Sequence, residues 1–201
     1  MLRQWVQAIH LSTGIPPHLA TRMGFPSSWW LLMGRGFEVL SHSTSMRDGL
    51  KEILGLKNVP RTGWVRSNVP SPESVAAHSW GMSMLALKLC PPHLDLLRVI
   101  SLCVVHDVPE VRVGDLTPHD DCSTKSEDEH AAMVSLSPEW VPLLKEYELC
   151  HTAEAKFVKQ LDKLDMALQA SIYQDMNDVD LSEFIESAKK AITDKNILQL
   201  L

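Results

Sequence analysis

Beyond residue 45, apolar positions recur every three or four residues, and nowhere do they alternate with polar ones over a useful length. That period predicts helices. Met46, Leu50, Ile53 and Leu54 make one stripe. It follows Ser45-x-x-Asp48, a spacing like a capping box with Asp in place of Glu or Gln. Residues 58–63, with Pro60 and Gly63, read as a loop. Ser71-Pro72-Glu73 predicts a helix start: an N-cap, Pro at the first position and an acid in the first turn. Val75, His78, Met82, Leu85 and Leu89 then share one face, and Pro91-Pro92 ends that helix. Residues 94–106 are nearly all apolar, as a central buried helix should be. A break follows around Pro109 and Gly114, and short helices are expected over 124–135 and 138–147. Thr152 is placed to cap a long helix reaching about Met176, with Phe157, Val158, Leu161, Leu164, Asp165 and Leu168 along it. Residues 182–191 and a Leu-rich tail finish the chain. The predicted class is all-α, with no internal repeat.

Residues 1–45 differ. Their first acid is Glu38, preceded by Arg3, Arg22 and Arg35, several Ser and Thr, and three of the six Trp. Acid-poor, Arg- and Ser-bearing composition resembles a transit peptide. The segment is therefore expected to be an atypical N-terminal extension: a transit peptide, an irregular leader, or non-native sequence in place of a first helix. The domain proper is expected over 46–201. At 201 residues, with 45% hydrophobic and 22% charged residues, the chain can bury a core without staples. Four Cys with no C-x-x-C pair argue against zinc ribbons and disulfide scaffolds. They fit reduced thiols and a cytoplasmic setting, with a mitochondrial one as the alternative that residues 1–45 raise. A net charge of −6 disfavours duplex nucleic acid as partner. No segment reaches the ~20 apolar residues a membrane helix needs.

Within this pattern, polar residues on apolar helices stand out. His78 lies on the apolar face of its helix, His106-Asp107 ends the most hydrophobic one, and Asp162 sits on the apolar face of the long one. Each alone has an ordinary explanation as a hydrogen-bonded core or turn residue. Together they are costly to bury unless something compensates. A divalent metal bound by two imidazoles and two carboxylates would compensate. Such a donor set suits Mn, Fe, Co, Zn or Mg more than a structural zinc, and leaves open positions for water and a substrate oxygen. Glu110 follows Asp107 by one helical turn, and Asp115 follows Gly114. Glu110 is placed to hold or deprotonate a water, and Asp115 to position it or protonate a leaving oxygen; a plain Gly-Asp turn is the alternative for Asp115.

The order His78, His106-Asp107, Asp162 resembles the H…HD…D signature of HD-domain metal phosphohydrolases. The flanking residues Pro60-Arg61-Thr62-Gly63-Trp64, Pro72-Glu73-Ser74-Val75, Glu146-Tyr147-Glu148 and the run from Ala153 to Lys163 are similar to the HD domain-containing protein 2 family of 5'-deoxynucleotidases. The likeness runs from about Met46 to about Tyr173. It implies a metal-dependent phosphomonoesterase acting on deoxyribonucleoside 5'-monophosphates. It further implies His78, His106, Asp107 and Asp162 as ligands of a divalent cation (Mn, Co, Mg or Fe). Glu110 and Asp115 would be the catalytic acids, with a second metal between them as a further option. Trp64 would stand against the sugar or serve as a core anchor. Arg61 would be the phosphate clamp, with Arg66 its competitor. A homodimer is expected by the same likeness. Another HD hydrolase, acting on a triphosphate or cyclic nucleotide, and a non-catalytic binding module are the alternatives. Ala77 stands where the family usually carries an acid, and the 115–147 stretch is shorter than its counterpart.

Overall fold

A computed structural model describes residues 46–201. The readings made on residues 1–45, the Ser45 cap included, lie outside the described residues. Among the described residues the regular structure is helical, with one isolated bridge between Pro60 and Ser74. The helices are α1 (Met46–Leu54), α2 (Thr62–Arg66), α3 (Val75–Leu89), α4 (Leu96–Val105), α5 (Glu110–Val113), α6 (Lys125–Leu136), α7 (Val141–Leu149), α8 (Ala153–Met176), α9 (Ser182–Ala191) and α10 (Lys195–Leu198).

Three of them make the centre: α3, α4 and α8 pack against one another. Their inward faces bury Met82, Ala86, Val99, Leu102, Cys103, Val158, Leu161 and Leu164 completely. Each large apolar side chain removed from water contributes about 1.5–3 kcal/mol, so this three-helix seam carries a large share of the fold's apolar stabilisation. α4 begins at Asp95, whose carboxylate accepts from Leu97 and Arg98 N–H. α8 begins at Thr152, whose hydroxyl accepts from Ala155 N–H at 3.1 Å. No described helix is long and apolar enough to cross a membrane. The four Cys are free thiols.

Two local expectations are corrected. The helix expected from Ser71 begins at Val75, with Ser74 as its cap accepting from Ala77 N–H. Ser71 sits at φ 52, in the left-handed region, and so cannot take the extended backbone of an N-cap. Residues 72–74 run extended instead: Arg61 N–H donates to the Glu73 carbonyl and Val75 N–H to the Val59 carbonyl. That extended entry turns the Glu73 side chain inward. The loop expected over 58–63 is likewise shorter than read, because α2 starts at Thr62. Its free N–H is taken by the distant Asp115 carboxylate at 2.6 Å, a cap that spacing within the segment cannot reveal.

Candidate active site

His78 comes from the first turn of α3, His106 and Asp107 from the end of α4, and Asp162 from the middle of α8. The central seam thus brings the four residues together. His106 Nε2 lies 3.0 Å from Asp107 Oδ2, and His78 Nε2 lies 3.4 Å from Asp162 Oδ1 and 3.9 Å from Asp107 Oδ2. Donor atoms of His78, His106 and Asp107 all fall within 4.8 Å of one another. His106 Nδ1 faces the Cys103 carbonyl at 2.9 Å. A carbonyl only accepts, so Nδ1 carries a proton and Nε2 is the nitrogen turned to the carboxylates. His78 Nε2 is buried and makes no hydrogen bond. A cation among these atoms would satisfy that orphaned nitrogen and neutralise the two acids. The residues present therefore fit a divalent metal with nitrogen and oxygen donors.

The electrostatics agree. Burial opposes ionisation of Asp107, but His106, His78 and Arg61 outweigh it and hold the carboxyl well below the usual range. Asp162 is held low against burial by His78 and Lys163. Burial and Arg61 press His78 down, yet Asp162 and Asp165 raise it to about 9, so a cation held at Nε2 would displace a proton there. Burial first, then Asp107 and Asp115, push Glu110 up to about 9. Its neighbours' negative charge is part of the cause, so a cation bound among them would bring it back down.

Glu110 opens α5, is buried, and keeps one carboxylate oxygen without a partner. Asp115 follows Gly114, whose φ of 82 makes the turn. It is a held carboxylate rather than a turn residue alone, since it accepts from Thr62 N–H and from Arg61 Nη1 at 3.2 Å. Arg61 also lies 3.7 Å from Asp107 Oδ2. Arg66 is drawn to the rim, where it pairs with Asp120 at 2.5 Å and bonds Thr117. Trp64 is only 2% exposed, its Nε1 donating to Glu73 Oε1 and its ring packed on Tyr173 and Phe184. The core-anchor reading of Trp64 holds, and one edge of it still reaches the cavity.

That cavity measures about 530 Å³ and is bordered by Arg61, Trp64, His106, Asp107, Glu110, Asp115 and Asp162, with His78 behind them. Lys125, Lys159 and Lys163 add positive charge to its wall. Lys159 stands 3.5 Å from the Tyr147 ring centre. The sequence alone offers only a nearby Lys as an ordinary partner for Asp162, and Lys163 Nζ does lie 3.1 Å from Asp162 Oδ2. Asp165 was readable, because it follows Asp162 by one turn on the same helix.

The HD domain family model matches residues 53–200. The 5'-deoxynucleotidase HDDC2 of Bos taurus is 41% identical over 164 residues, which cover 76% of this chain and 80% of that one. The 5'-deoxynucleotidase hdd1 of Schizosaccharomyces pombe is 37% identical over 150 residues, covering 67% of this chain and 76% of its own. Among solved structures, the PH0347 protein from Pyrococcus horikoshii OT3 superposes with a TM-score of 0.67 at 28% identity, covering 76% of this chain and 98% of that one.

Proposed function

The chain belongs to the HD-domain family, and from that membership and the site's geometry we infer a metal-dependent 5'-deoxynucleotidase that releases phosphate from deoxyribonucleoside 5'-monophosphates. One observation carries the site reading: the orphaned His78 Nε2, buried between two carboxylates that are themselves held ionised. His78, His106, Asp107 and Asp162 would hold the ion. When bound, it supplies Lewis-acid polarisation of the phosphate and a more acidic water.

The remaining work belongs to the chain. Glu110 turns its unpartnered oxygen to the attacking water and takes the water's proton as the oxygen–phosphorus bond forms. Arg61, stiffened by Asp107 and Asp115, presents its guanidinium fork to the phosphate oxygens. The bond from phosphorus to the nucleoside 5'-oxygen breaks, and Asp115 relays to that oxygen the proton that Glu110 took from the water. Trp64 presents its edge beside the sugar. Most of the acceleration in such a transfer is positioning and charge stabilisation, which a site built on the ends of packed helices provides. The nitrogen and oxygen donor set admits Mn, Co, Mg or Fe.

Assay of metal-stripped protein tests this reading. Phosphate release from dAMP in preference to AMP should return with Mn, Co or Mg, and should be lost in Asp107→Ala. Folded, metal-loaded protein that releases no phosphate from dAMP overturns it.

A homodimer is part of the same reading. Trp80, Met84 and Leu87 line the outer face of α3 at helical spacing, with Trp80 66% exposed. Isolated apolar side chains are common at surfaces, whereas a continuous stripe marks an interaction face. Light scattering should give twice the chain mass for the wild type and a shift toward monomer in Trp80→Glu.

A further inference from the structure

Asp165 has no part in the scheme above, yet it meets a proposed ligand from behind. Its Oδ2 lies 2.7 Å from His78 Nδ1. An ionised carboxylate only accepts, so it fixes a proton on Nδ1 and leaves Nε2 as the nitrogen that faces Asp107 and Asp162. Asp165 is one turn beyond Asp162 on α8. The same helix therefore supplies one ligand directly and fixes the aim of another on α3.

A second, independent feature makes room for this carboxylate. Gly81 lies in the middle of α3, where glycine is a poor helix former. A Cβ at residue 81 would overlap Asp165 Oδ1 and stand 3.1 Å from its Cγ. Any side chain there would push the carboxylate off His78. A third group closes the arrangement: an oxygen of Glu73 lies within 4.8 Å of donor atoms of both His78 and Asp165. Glu73 also accepts from Trp64 Nε1 and donates its backbone N–H to the Tyr173 hydroxyl. The back of His78 is thus tied to the ring that borders the cavity.

We propose that Asp165 is a positioning residue for His78, admitted by Gly81, which sets the tautomer and aim of the nitrogen that faces the metal. This rests on the metal-site reading given above. The alternative is that Asp165 merely satisfies a buried imidazole, and metal affinity separates the two.

Mn²⁺ binding to metal-stripped protein should be measured by equilibrium dialysis for the wild type, Asp165→Ala, Asp165→Asn and Gly81→Ala, alongside helicity and Tm. Asp165→Ala and Gly81→Ala should each weaken Mn²⁺ binding about 10–100-fold. kcat at saturating Mn²⁺ should fall much less. Asp165→Asn should recover part of the affinity, because its amide oxygen can accept from Nδ1–H. If Asp165→Ala does not fold, Gly81→Ala and Asp165→Asn decide. Variants that bind Mn²⁺ within twofold of wild type, whatever their Tm, overturn this proposal alone. A wild type that binds no Mn²⁺ overturns the site reading and this proposal with it.

Discussion

Glu110 is the side chain whose role is most sharply defined by what it lacks. It is buried, raised to about 9 by burial and by Asp107 and Asp115, and one of its oxygens has no partner. Glu110→Gln keeps the shape and removes the proton acceptor. Phosphate release should drop about 10²–10⁴-fold while Mn²⁺ affinity stays close to wild type, as dialysis would show. A matching loss of metal affinity would make Glu110 a ligand instead. At this scale the sequence was most readable where cost betrays a residue: His78, Asp107 and Asp162 interrupt apolar faces, and a buried charge needs a reason. Arg61 and Arg66 carry no such mark. Both lie in the same short segment, and only the fold decides that Asp115 draws one inward while Asp120 and Thr117 hold the other at the rim.

Among the elements, the entry to α3 shows why helix starts are hard to read from residue order. Ser71 and Ser74 both look like caps, and Pro72-Glu73 favours the first by local rules. The bridge of Pro60 with Ser74 and the bond from Arg61 N–H to the Glu73 carbonyl pull residues 72–74 into extended backbone, which leaves Ser74 as the cap. A thermal or urea titration separates the two. Ser74→Ala should cost about 1 kcal/mol, and Ser71→Ala should stay within about 0.5 kcal/mol. Where no such distant contact intervenes, the pattern was sufficient. Thr152 caps α8, and α9, which starts without a side-chain cap of its own, still spans the residues predicted for it.

Across the whole molecule, the site depends on α4 and α8 keeping their register, because one carries His106 and Asp107 and the other Asp162. Packing does most of this, but one polar clamp lies at the far end. Arg98 on α4 donates through Nε and Nη2 to Glu146 of α7, whose other oxygen accepts from the Thr152 hydroxyl at the start of α8. From Arg98 to His106 is about 12 Å along the helix at 1.5 Å per residue, so the clamp touches nothing catalytic. Burial raises the Glu146 pKa, but the bonds from Arg98 and Thr152 outweigh it and leave the group below the usual Glu range. A carboxyl lowered on folding stabilises the protein above its unfolded pKa, and that contribution disappears as pH falls through the folded value. Arg98 is substantially exposed, so solvent screening limits the effect to about 0.5–1 kcal/mol. Melting curves of wild type and Glu146→Gln should therefore differ at pH 7 and converge only once the pH has fallen below the lowered, folded-state Glu146 value. Phosphate release at pH 7 should be unchanged. A difference that shows no decline as the pH falls to the acid limit of folding would mean that the glutamine is destabilising through packing, and that the ionised clamp does not hold the three helices.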